Sequence, residues 1–184
     1  TTVPAEPLSA AAAALVAPGS PGLMDEVTYQ ARVDEFLAFA TTVDHSSNPS
    51  GINAHLGRAL RDPDYVWNIE DVTVESLGAV FEQIDTWEDT RDFQLMYLHW
   101  MLALGQGDTP MTQLSPDVIA AIDERMLANR YRYDDPVPAD RLDNLWFWSE
   151  NHRIINLAIE YLSGQRYPDE TFTVTGLTGA AHLE

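Results

Sequence analysis

The chain is 184 residues long and 45% hydrophobic, enough to bury a substantial core as one domain or as part of a larger one. Its 29 acidic residues face ten basic ones, all arginine, and the formal net charge of −19 sets it against nucleic acid and anionic lipid as partners. Cysteine is absent, which excludes disulfides, thiolate metal sites and thiol catalysis.

Residues 1–22 are rich in Ala, Pro, Gly and Ser and close with Ala17-Pro18-Gly19-Ser20-Pro21-Gly22. They read as a flexible lead-in, of the kind left after signal-peptide removal, so the chain is expected to be secreted or displayed at the cell surface. A trimmed N-terminus would look the same. No window of about 18 apolar residues occurs, so no membrane span is expected.

From residue 23 to residue 184 the pattern is helical almost throughout. Helix one is expected over about Met24–Val43, with Val27, Val33, Phe36, Leu37 and Ala40 on one face. Asn48-Pro49-Ser50-Gly51 and Asp62-Pro63 break the stretch Asp44–Asp71, leaving one short amphipathic turn around Ile52–Leu60. Thr73 can cap a second helix, Val74–Thr86, that buries Leu77, Val80, Phe81 and Ile84. Thr90–Leu104 is apolar nearly all round and suits a helix packed between others. Ser115-Pro116 opens a fourth helix, reaching to about Asn129, by the cap-then-proline rule. Tyr131–Pro138 reads as a loop. A final helix follows Ser149, a good N-cap, and ends where Gly164 and Pro168 block continuation. One short extended piece is expected near residues 171–175. The fold class is therefore all-α, built of antiparallel helical hairpins.

The chemistry concentrates around that final helix. Trp146-Phe147-Trp148 precedes Ser149-Glu150-Asn151-His152-Arg153, and Glu150 sits where the helix dipole favours negative charge. At about 100° per residue, Arg153, Asn156 and Glu160 form one polar stripe, which is expected to face solvent. Asn151, Ile154, Ile155, Ala158 and Leu162 are expected to face inward, where an amide is destabilising without a partner or ligand. The free first-turn amides, the positive dipole end and Asn151 together predict an anion-seeking cleft lined by Asn151, His152 and one of Trp146 or Trp148.

Asn151-His152-Arg153-Ile154-Ile155-Asn156, running on to Leu162-Ser163-Gly164, resembles the Asn-His helix of heparinase II/III-like polysaccharide lyases. It is also similar to the alginate- and chondroitin-lyase proteins built on an incomplete α/α toroid. The longer string Trp146–Asp169 resembles a set of large bacterial proteins that share Trp-Ser-Glu-Asn-His. The resemblance covers about 25 of the 184 residues. It implies that residues 23–184 are part of a toroid completed by further chain or by a second copy, acting on an acidic polysaccharide by β-elimination. It implies further that Asn151 neutralises a uronate carboxylate beside a proton-handling His152. The catalytic Tyr of such lyases matches no position here.

The residue chemistry is coherent with that implication. Masking a carboxylate charge permits proton abstraction beside it, and a histidine near neutral pH can take the proton. Trp146 and Trp148 would stack on sugar rings, Arg153 would pair with an acidic group, and Glu150 is expected among the substrate-binding residues. Each has a plainer alternative: Asn151 a satisfied buried amide, His152 an ordinary helix-start residue, and Trp67, Trp87 and Trp100 core. His45, His55, His99 and His152 lack metal-ligand spacing, so neither a metal nor another cofactor is expected. Two other functional classes stay open. One is a non-catalytic helical interaction or assembly module; the other is a glycoside hydrolase using Glu150 with a second carboxylate.

Overall fold

The computed structural model describes residues 24–42 and 46–184. The lead-in 1–22 and the expected end of helix one at Val43 lie outside them. Six α-helices and three 3-10 turns are present among the described residues, with no strand beyond the isolated bridges Gln106–Gln113 and Thr171–Thr178. The all-α reading stands. No described helix is long and apolar enough to cross a membrane.

The chain divides into two units, residues 1–36 and 37–184. In the first, the described residues are the opening turns of α1 (Glu26–Ala40), started by Asp25, whose carboxylate accepts from the Thr28 amide at 2.9 Å. Val27 and Phe36 stand exposed.

The second unit holds the core. Its first complete helix, α2 (Pro49–Arg61), corrects the expectation of an irregular stretch with one short turn. Asn48 caps it, its side-chain oxygen accepting from the Ser50 amide at 3.0 Å, and Pro49 opens the first turn. The same Asn-Pro pair that reads as a breaker is thus a start signal, because proline lacks only an amide that the first turn cannot use. Ile52, Leu56 and Ala59 are buried.

Thr73 and Ser76 exchange side-chain bonds around a turn, and the continuous helix α3 begins later than expected, at Gly78–Asp85. It buries Val80, Phe81 and Ile84. Helix α4 (Arg91–Leu104) is central, packing against α2, α3, α5 and α6. Leu95, Leu98, Met101 and Leu102 are fully buried along it. Trp100 departs from its expected core place and is 46% exposed, whereas Trp87 is buried and Trp67 half-buried. Helix α5 (Pro116–Ala128) starts as expected, with the Ser115 hydroxyl accepting from the Val118 amide at 3.3 Å.

Helix α6 (Glu150–Arg166) departs most from expectation. Ser149 occupies the cap position, but its hydroxyl makes no cap bond. Gly164 lies inside the helix rather than ending it. A β-carbon there would come within 2.8 Å of the Gly179 carbonyl, so glycine is required by the C-terminal segment packed on it. The faces are largely reversed as well: His152, Asn156, Glu160 and Ser163 are buried with Ile159, while Ile154, Leu157, Tyr161 and Leu162 are exposed; Arg153 is exposed and Ile155 half-buried, in keeping with expectation.

Candidate functional site

The reversal of α6 has an electrostatic cause. Asp92, on the first turn of α4, and His182, in the 3-10 turn Ala180–Leu183, are both buried where α6 packs. The face of α6 that carries His152 and Glu160 meets them. His152 Nδ1 lies 2.9 Å from both Asp92 carboxylate oxygens, which places the ring proton on Nδ1. The edge of the Phe93 ring completes the packing, at 5.5 Å between centroids. His152 Nε2 stands 3.8 Å from the half-exposed Asp89 carboxylate, beyond hydrogen-bond reach. Asp89 in turn accepts from the Trp146 amide at 3.1 Å and ties the tryptophan segment to the start of α4. Burial raises the Asp92 pKa, an effect that its bond to His152 only partly offsets.

A second buried centre lies two turns along α6. Glu160 accepts from His182 Nδ1 at 2.7 Å and from Arg132 Nε at 2.8 Å, and His182 Nε2 meets the Thr175 hydroxyl at 2.9 Å. Between the two centres, Asn156 donates to the His152 carbonyl at 2.8 Å, while its own side-chain oxygen is buried without a partner. The expectation of an unsatisfied inward amide therefore fits Asn156. Asn151, to which it was applied, lies on the exposed face.

Loop 129–145 is fixed by a third cluster. Asp143 takes both Arg91 nitrogens, at 2.7 and 3.1 Å, and Arg130 at 2.8 Å. Burial alone would raise the Asp143 pKa, but the bonds and charge of Arg91, with Arg130, outweigh it and hold the carboxyl below its ordinary value. Arg130 also donates to the Tyr133 carbonyl and lies over the Phe147 ring, 4.8 Å from its centroid. Tyr133 is 5.3 Å from the Trp148 ring.

These ties shape a cleft of about 330 Å³ between the loop and the first half of α6, lined by Arg132, Tyr133, Asp134, Phe147, Arg153 and Leu157. Of the residues singled out in the sequence, Arg153 lines it. Trp146 and Trp148 are 64% and 74% exposed around the buried Phe147, and Glu150 and Asn151 are exposed. His152 is buried against Asp92, so the expected cleft of Asn151, His152 and a tryptophan is not the one formed. Sequence reasoning passed over Arg132 and Tyr133, though Tyr131-Arg132-Tyr133 is an aromatic-basic alternation visible in the loop. The pairings of Asp92 and Glu160 carried no local signal, because their partners lie 60 and 22 residues away.

The cleft can take an acidic ring. Arg153 makes no ion pair among the described residues, and Arg132 is held at one nitrogen by Glu160, leaving the rest of its planar fork for a ligand. Asp134 can accept from hydroxyls. No group of three or more His, Asp or Glu side chains among the described residues is placed to hold a metal ion.

Comparison with known proteins adds no relative: no family profile matches the sequence, and neither does any curated protein or solved structure.

Proposed function

We propose that the chain is a helical segment of a secreted or cell-surface, carbohydrate-active protein of polysaccharide-lyase type that binds or acts on an acidic glycan. In this reading it contributes part of an incomplete α/α toroid, completed by further chain or a second copy. One observation carries the proposal: in a chain of net charge −19, Arg132 and Arg153 line one cleft together with Tyr131, Tyr133 and Phe147. Stacking of a sugar ring on Tyr133 beside two guanidinium groups is the chemistry such a ligand needs, and the exposed Trp148, 5.3 Å from Tyr133, and Trp146 would extend that surface. Asn151 and Glu150, exposed at the helix start, would meet the sugar's carboxylate and hydroxyls. His152, oriented by Asp92, would handle the proton once Nε2 is reached, and no metal or cofactor takes part. Calorimetric titration with polygalacturonate and with a neutral glucan tests this. Selective binding of the uronate, weakened about tenfold by Arg153→Ala, is the expected outcome; equal or absent binding would refute it.

A second reading, a non-catalytic assembly module, is favoured by a different observation. Ile154, Leu157, Tyr161 and Leu162 form an exposed apolar stripe on α6, and Trp100 on α4 is exposed as well. Self-association in light scattering without glycan binding would select it.

A further inference from the structure

The outward face of α6 lacks the polar side chains that a surface helix normally turns to water. Between Ile154 and Leu162 every exposed residue is aliphatic or aromatic: Ile154, Leu157, Ala158, Tyr161 and Leu162. The stripe is fixed in place, because turning α6 to cover it would break the buried bonds of His152 to Asp92 and of Glu160 to His182. Trp100, on the helix α4 against which α6 packs, adds a further exposed ring.

Polar residues bracket the stripe. Glu150, Asn151 and Arg153 are exposed in the first turn, and Gln165 is exposed in the last, beside the partly exposed Arg166. Gln165 Nε2 donates one hydrogen to the Tyr161 hydroxyl at 3.1 Å and has a second to give.

Resting on the assembly reading, we propose that this face binds a second copy of the chain, the two α6 helices antiparallel about a two-fold axis between Leu157 and Ala158. Leu157 then lies over the partner's Ala158, whose small side chain leaves room for it, and Ile154 meets the partner's Tyr161. Glu150 reaches the end of the partner helix that carries Gln165, a donor, and Arg166, a cation. A parallel pair would instead set Glu150 against Glu150 and Arg153 against Arg153, with both helix dipoles aligned. The stripe is therefore complementary to itself in one direction only, as a two-fold contact requires. Two chains of net charge −19 still repel, over about 10 Å at 0.1 M salt, so the pairing should tighten as salt rises.

The test is sedimentation velocity on the full chain, over a range of concentrations at low and high salt. A reversible dimer is expected, strengthened by salt and weakened about tenfold or more by Leu157→Glu, which sets a charge at the axis. The chain has no cysteine, so introduced ones report the geometry. Glu150→Cys and Gln165→Cys chains, mixed and treated with a short bis-maleimide, should cross-link to each other. Glu150→Cys alone should not, since its two copies would stand about 22 Å apart. Both positions are exposed, which keeps the test usable if Leu157→Glu misfolds. A chain monomeric at every concentration would overturn this pairing and the assembly reading together. A dimer untouched by Leu157→Glu, one that salt dissociates, or Glu150→Cys cross-linked to itself would overturn this pairing alone.

Discussion

Helices α4 and α6 pack against each other and sort their side chains in opposite ways. Along the middle of α4 Leu95, Leu98, Met101 and Leu102 are buried. Along α6 His152, Asn156 and Glu160 are buried beside Ile159, while Ile154, Leu157 and Tyr161 stand in solvent. The difference lies in what each helix meets. The middle of α4 faces apolar side chains from four neighbouring helices. The inner face of α6 meets Asp92, Arg132 and His182, and buried charges are stable only when paired. A helix's own pattern marks two faces, and its neighbours decide which one is buried.

The sharpest way to break this comparison is to remove the partner that holds the polar face. Glu160→Ala leaves buried His182 without its carboxylate and should cost about 3–5 kcal/mol in urea unfolding. A cost below about 1 kcal/mol would show that charge pairing does not orient α6. Next comes the apolar counterpart: Leu98→Ala, at a fully buried site, should cost about 2–5 kcal/mol by the same measurement. If its cost were small, α4 would not be the centre of the core.

Acid titration separates two buried carboxylates of opposite tendency. Asp143 has a lowered pKa, so its contribution is present above the unfolded value of about 3.9 and is lost as pH falls through the folded value. Asp92 has a raised pKa, so its contribution is full below the unfolded value and is lost as pH rises through the folded one. Asp143→Asn should therefore flatten the acid limb of a stability–pH curve, and Asp92→Asn should flatten the rise that neutralisation brings. The reverse pattern would overturn the assignment. The smallest effect is expected at the exposed stripe: Ile154→Ser should change stability by about 0.5 kcal/mol or less while lowering hydrophobic-dye binding. A large loss of stability there would place Ile154 in the core after all.

Much of the helical content was legible in the residues themselves. The Ser115-Pro116 start, the buried set Leu77, Val80, Phe81 and Ile84, and the apolar run of α4 are local signals, and each appears as expected. Local chemistry also pointed to the neighbourhood of the site, since Arg153 and the Trp146-Phe147-Trp148 segment do border a cleft or stand beside one. What only the tertiary structure decided is the direction in which α6 faces, the exposure of Trp100, and the pairing of Asp92 with His152 and of Glu160 with Arg132 and His182. A hydrophobic pattern measures how strongly each face avoids water. It does not measure a compensating charge supplied from 60 residues away, and here that charge decides which face of α6 is buried.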